Sequence, residues 1–311
     1  MNSRVHPKYR TKYRVTKWAE YDRALVRRGD ITLWISEEAI EGWKPASSCN
    51  RGGQKKFSDH AIETALLLRL VLKLPLRQAE GFLRSILSLM DLNLEAPDHT
   101  TVSRRSQQLD VDLRLAAEGG PIHLIVDSTG LSIVGEGEWA AVKHGGSGKR
   151  AWKKLHLGVD RSGLIVAQVL TDGNADDSNT ALNLIDEMKG AIASFTADAA
   201  YDVMAIYEAA GARDAKVIVP PRKTATKWRR TGARDRTILR VKKVGRRQWK
   251  KESGYHQQAR VENTFFRYKS ILGDRLRARH PESQEAEALI ACNILNRIAE
   301  LGRSDSFAIG A

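Results

Sequence analysis

The sequence predicts an α/β core, a mixed sheet flanked by helices, preceded by an α-helical segment. Three observations carry this expectation. Apolar residues recur at helical spacing after Ser58, the composition turns to short alternating apolar runs after Gly119-Gly120, and helix and strand patterns then alternate as far as Pro220-Pro221. With 311 residues, 42% of them hydrophobic, the chain can bury a sizeable core. No window approaches the roughly 18 consecutive apolar residues of a membrane span. The start "MNSRVHPKYRTKYR" carries charges with no apolar signal core behind them, so the expected location is cytoplasmic, with no membrane partner. Cys49 and Cys292 have no paired spacing, which argues against a disulfide framework or a zinc site.

Taken in order, residues 1–57 read as a basic arm and loop, with a short element at "ITLWISEEAIEGW" and a Gly-Gly loop at "CNRGGQKKF". Residues 58–118 read as a helical domain. Ser58 caps the first helix, Pro75 interrupts it, a second runs from about Leu76 to Met90, and a third starts at Pro97 or Asp98. That third helix exposes Thr100, Thr101, Arg104 and Arg105, which fits a helix-turn-helix unit reading a DNA groove. An ordinary helical bundle with a solvated basic face is the equal alternative. From 119 to 311 the pattern is three strands, helix, strand, helix, strand, a basic insertion at about 222–254, and a further helix. The turn "DRSG" joins the second and third strands as a hairpin.

The formal net charge of +14 favours a polyanionic partner, and its placement says more than its size. From Arg222 to Arg260, 15 lysines and arginines stand against Asp235 and Glu252. Arg229, Arg230, Lys242, Lys243, Arg246 and Arg247 are the candidate phosphate contacts there. Trp228, Ile238, Leu239, Val241, Val244 and Trp249 interleave with them, more apolar bulk than a disordered tail carries, so a small strand-rich insertion lying along DNA is expected.

The chemistry rests on three acids. "HLIVDSTGLSIVG" ends its apolar run at Asp127, and "ASFTADAAYD" reads as a short strand ending at Asp198. On adjacent parallel strands the two would meet at the carboxyl edge of the sheet, where open sheets bind ligands. Such a pair of carboxylates needs a cation, and oxygen ligands suit Mg²⁺, with Mn²⁺ a possible substitute. In "GYHQQARVENTFFRYKSILGDRL", Val261, Phe265, Tyr268 and Leu272 form a packing stripe, and Glu262, Phe266 and Lys269 occupy the neighbouring face. Glu262 and Lys269 can therefore address one site two turns apart, although a solvated amphipathic helix explains them too. A third carboxylate there would complete a two-metal site for phosphodiester chemistry. Asp202 competes with Asp198 as the second ligand but reads as a cap for the helix after it. Asp172, Asp176 and Asp177 read as a turn and helix start. His156, alternating with Leu155 and Leu157, approaches the site without joining the catalytic set.

The set "IVDSTG", "TADAAYD" and "YHQQARVENTFFRYK" resembles the DDE transposases of bacterial insertion sequences, most closely the IS-five type, over most of the chain. The family's last motif runs Tyr, two residues, Arg, three residues, Glu, six residues, Lys. Tyr255, Glu262 and Lys269 match it in spacing, while Gln258 stands in the place of the Arg and Arg260 lies two residues later. The resemblance implies a ribonuclease H-like core, Asp127, Asp198 and Glu262 as catalytic metal ligands, and Tyr255 and Lys269 holding the DNA end. It also implies double-stranded DNA partners, both element ends and target, a dimer or larger assembly on DNA, and a place at the nucleoid. Two rivals stay open: a ribonuclease H-like nuclease without strand transfer, and a DNA-binding protein without catalysis.

Overall fold

The computed structural model describes residues 12–46, 54–114, 120–134, 152–227, 232–303 and 305–309. It opens with β1 (Lys12–Thr16) and helices α1 (Trp18–Arg27), α2 (Ile31–Trp34) and α3 (Glu37–Glu41), then α4 (Asp59–Val71), α5 (Leu76–Leu89) and α6 (His99–Arg105). Ser58 caps α4 by accepting from the Ala61 N–H, and Pro75 starts α5, both as the residue types dictate. Part of the expected N-terminal arm is thus ordered as strand and helix. The Gly-Gly loop lies outside the described residues.

The second half contains β2 (Ile122–Ile133), β3 (Trp152–Val159), β4 (Ile165–Asp172), α7 (Asp177–Glu187), β5 (Ile192–Thr196), α8 (Met204–Ala212) and β6 (Lys216–Ile218). After these come α9 (Ala233–Val244), α10 (Arg246–Ser253), α11 (Ala259–Ile271), β7 (Arg275–Leu276), α12 (Pro281–Leu301) and β8 (Asp305–Ile309). The main sheet has the order β4-β3-β2-β5-β6 with β7 pairing β2, while β1 and β8 form a separate antiparallel pair. β4, β3 and β2 are antiparallel, and β2, β5 and β6 are parallel. This mixed sheet with helices on both faces is consistent with a ribonuclease H-like core.

One face packs on α4, α11 and α12, where Ile125, Leu131, Leu155 and Leu157 share a core with Leu68, Val261 and Ile294. The other packs on α7 and α8, with Leu124, Val126 and Phe195 against Leu184 and Ile206. The helical segment and the sheet thus share one hydrophobic cluster. α12, unmarked by the sequence reading, is the central strut. Pro281 starts it, Asn296 brackets the Ile165 backbone with two 2.8 Å hydrogen bonds, and Asn293 binds the Asp112 carbonyl and the Arg114 N–H.

The basic insertion is helical, correcting the strand-rich expectation. Arg and Lys make up five of the twelve residues of α9 and are good helix formers, and helical geometry turns Ile238 and Trp249 inward while Lys242, Lys243 and Arg247 stay exposed. Gly245, at φ 80°, supplies the break between α9 and α10. Among the described residues, no helix is long and apolar enough to cross a membrane.

Candidate active site

Asp127 lies within β2, not at its end, because the strand runs on to Ile133 through its pairing with β3. The apolar run ends at Asp127, but the strand does not. Backbone pairing has no such dependence on side-chain polarity, so the strand continues. Its relation to Asp198 nevertheless holds. β2 and β5 are parallel neighbours in which Ile125 pairs with Thr196, and each acid stands two residues beyond that pair. β5 ends at Thr196, so Asp198 is not on a strand either. It caps a single 3₁₀ turn over Ala199–Tyr201 by accepting from the Ala200 N–H at 2.7 Å.

Glu262 projects, exposed, from the first turn of α11, whose stripe Val261, Phe265, Tyr268 and Leu272 is buried against the sheet. Asp127 has the same strand parity as Ile125 and Leu131, so it faces the side that α11 covers. Burial first, and then the charges of Asp198, Glu262 and Asp177, push the Asp127 carboxyl up to about 6. A hydrogen bond from the Ser128 N–H opposes that rise. Tyr255, half-buried beside the same acids, is pushed up to about 12 by burial and then by Asp198, Glu262 and Asp127. Its ring stands 6.2 Å from that of Trp249 and carries the Lys250 ammonium 4.6 Å from its centroid. Lys269 is exposed in the last turn of α11.

The charges of Asp198 and Glu262 thus reach the Asp127 carboxyl, and all three offer oxygen donors of the type a hard divalent cation takes. They are not drawn into a closed shell: among the described residues, no group of three or more His, Cys, Asp or Glu side chains is arranged to hold a metal ion. Asp127 and Asp198 each spend an oxygen on a backbone N–H, and mutual repulsion keeps uncompensated carboxylates apart.

Two residues play parts that the sequence reading did not assign. Asp202 does not cap α8. The residue before α8 is Val203, and Asp202 is buried, bonding Arg234 of α9 through Nε at 2.7 Å and Nη2 at 3.0 Å and accepting from the Arg222 N–H. It ties the basic insertion to the loop that holds Asp198. Asp176, not Asp177, caps α7. Asp177 accepts from the Ser128 hydroxyl at 2.9 Å, pairs with Lys154 at 3.2 Å and lies 3.6 Å from His156 Nδ1. The signal was two adjacent acids where one cap suffices. His156 is fully buried beside this network and pairs in register with Ser128, which places it on the face of the sheet opposite Asp127 rather than toward that acid.

The remaining candidates divide. Asp98 caps α6 and engages the Thr100 and Thr101 hydroxyls, while Arg105 bonds the Phe57 carbonyl and pairs with Asp59, leaving Arg104 exposed at the helix end. Arg246 bonds the Pro221 carbonyl at 2.7 Å. Arg229 and Arg230, with Trp228, lie outside the described residues. Gln258, where the motif expects Arg, is buried at the start of α11 and donates its amide to the Val126 carbonyl at 3.2 Å.

A family model described as Transposase DDE domain matches residues 118–297, and another of the same description matches residues 26–136.

Proposed function

We propose, from the premise that this chain belongs to the transposase DDE-domain family, that it is the transposase of an insertion sequence of the IS-five type. It would bind the terminal inverted repeats of its own element, cut a phosphodiester there and join the freed 3′-hydroxyl to target DNA. The observation that carries this reading is the position of Asp198 beside Asp127, each two residues beyond the Ile125–Thr196 pair, with the charges of Asp198 and Glu262 both reaching the half-buried Asp127 carboxyl.

Asp127, Asp198 and Glu262 would hold the divalent cation that this family depends on, with Mg²⁺ the natural choice for an all-oxygen set and Mn²⁺ its substitute. When bound, the metal supplies a nucleophilic oxygen at neutral pH and charge stabilisation of the leaving oxygen. The chain's own residues do the rest. The half-buried setting of Asp127 lessens the screening of its own carboxylate, Lys269 offers a point charge to a phosphate, and the Tyr255 ring, backed by Trp249, offers a face on which an unpaired base can stack. Exposed Lys242, Lys243 and Arg247 of the insertion, and Arg104 on α6 of the helical segment 58–118, would engage DNA backbone. Assembly as a dimer or larger complex on DNA at the nucleoid goes with this reading.

The test is incubation of the purified protein with duplex DNA carrying the repeats that flank its gene, with and without Mg²⁺. Nicked and joined products that need the metal and vanish in Asp127→Asn are expected; cleavage without joining of pre-cut ends would identify a nuclease instead. The open arrangement of the three acids favours one rival, a DNA-binding protein without catalysis. Binding of the repeats by the parent with no Mg²⁺-dependent nicked or joined product would establish that rival.

A further inference from the structure

Where Asp127 stands, β2 is braced by the sheet on one edge only. β3 pairs with it from Ile125 to Ser132, but on the other edge pairing with β5 ends at Ile125 and pairing with β7 begins at Ser132. Among the described residues no strand covers that gap, so the backbone ladder fixes this stretch from one side. The first turn of α7 reaches it from the sheet face that Asp127 turns away from. Ser128 points to that face: its hydroxyl donates to Asp177 at 2.9 Å, while its backbone N–H donates to the Asp127 carboxylate at 2.8 Å. The next residue of α7, the buried Ser178, donates its hydroxyl to the Ala200 carbonyl at 3.4 Å, a carbonyl that Arg222 also binds. The Ala200 N–H in turn donates to the Asp198 carboxylate at 2.7 Å. Two consecutive residues of one helix thus each hold the residue that binds a different acid. Asp177 is itself held by Lys154, whose ammonium lies 3.2 Å from the oxygen that Ser128 binds and donates to the Ala175 carbonyl at 2.8 Å. Helix capping does not account for Asp177, because Asp176 is the cap and accepts from the Asn179 N–H at 2.9 Å.

We infer that Asp177 and Ser178 are positioning residues for the acid pair: through Ser128 and Ala200, the first turn of α7 sets the direction and separation of the Asp127 and Asp198 carboxylates. A carboxylate with one oxygen fixed on an N–H has a defined direction for the other, and small errors of placement at a metal site are costly. Asp177 carries the larger share, since its contact with Ser128 is the shorter and the Ala200 carbonyl keeps Arg222 when Ser178 is lost. The inference rests on the reading of Asp127 and Asp198 as the metal-binding pair.

The experiment compares the full-length protein with Asp177→Ala, Asp177→Asn, Ser128→Ala, Ser178→Ala and Asp177→Ala/Ser128→Ala. Mn²⁺ binding without DNA is followed by electron paramagnetic resonance, and turnover and affinity are measured separately on a labelled duplex carrying the flanking repeats. Melting curves check the fold, and Ser178→Ala carries the test where Asp177→Ala does not fold. In Asp177→Ala, Mn²⁺ affinity and turnover are expected to fall about 10- to 100-fold while the Kd for DNA stays at the parent value. Ser178→Ala should move both in the same direction by less. Asp177→Asn keeps an acceptor for the Ser128 hydroxyl but no charge for Lys154 or the helix end, so recovery of most of the loss marks positioning and not general stability. The double variant should be no worse than Asp177→Ala, because both changes break one chain of contacts. Parent-like Mn²⁺ affinity and turnover in folded Asp177→Ala and Ser178→Ala would overturn the inference, as would losses in DNA affinity equal to those in turnover. A parent that cuts no DNA but whose Mn²⁺ affinity depends on Asp177 defeats the functional reading and sustains the inference, which separates the two failures.

Discussion

The Gln258 side-chain amide donates to the carbonyl of Val126, the residue immediately before Asp127, and so fastens the start of the Glu262 helix to the strand that carries the first acid. A buried neutral amide with one bond contributes about 1 kcal/mol net, yet it also fixes the separation of two elements that must act together. Gln258→Ala is expected to lower the melting temperature by a few degrees and to reduce turnover on DNA ends more than affinity for them. Equal loss in both parameters would show that the contact serves binding instead.

The Asp127 carboxyl offers a direct test of electrostatic strain. Its folded value of about 6 lies above the ordinary 3.8, so the folded chain retains a proton that the unfolded chain has already released. Stability from this group is present at low pH and is lost as pH rises toward and past 6. At neutral pH in chelator, Asp127→Asn should therefore melt a few degrees above the parent. Added Mg²⁺ should raise the parent and leave the variant unmoved. A variant that melts below the parent in chelator would contradict the assignment of strain to this carboxylate.

His156 responds to pH in the opposite sense. Burial pushes its imidazole down to about 4, with Asp177 opposing and Lys154 adding to the fall. The unfolded chain takes up the proton first, near 6.5, so the stability that His156 contributes is full above that value and declines as pH drops toward 4. Between pH 6.5 and 5 this amounts to about 2 kcal/mol. Denaturant unfolding of His156→Gln at those two values should show a drop smaller by that amount; identical drops would place the histidine's proton elsewhere.

The Asp202 and Arg234 side chains, 0% and 11% exposed, form the buried joint between the sheet and the basic insertion. Removing the cation strands a buried carboxylate, at a cost of about 3 to 5 kcal/mol. Arg234→Met should accordingly destabilise the chain, and trypsin should cut residues 222–254 sooner. Asp202→Asn/Arg234→Met should recover part of the stability but not the protease resistance. Unchanged digestion in both variants would mean that Arg222, which bonds the Ala200 carbonyl at 2.7 Å, holds the insertion by itself.

The sequence by itself determined what short-range rules govern. Ser58 as a cap, the β3–β4 hairpin at "DRSG", the buried stripe of α11 and the candidate pair of Asp127 and Asp198 follow from patterns only a few residues long. Gln258 was visible as a departure from a motif, but its bond to Val126 was not. Tertiary structure alone decided which side of each acid faces what: Asp202 turned inward to Arg234, and Asp177 turned to Ser128. It also brought Ser178 to the turn that Asp198 caps. These groups are separated by tens of residues, so their meeting depends on strand order and helix docking, which no local period encodes. The basic insertion became helical for a related reason, since its few apolar residues, Ile238 and Trp249 among them, had to find partners such as Tyr255 before their spacing had meaning.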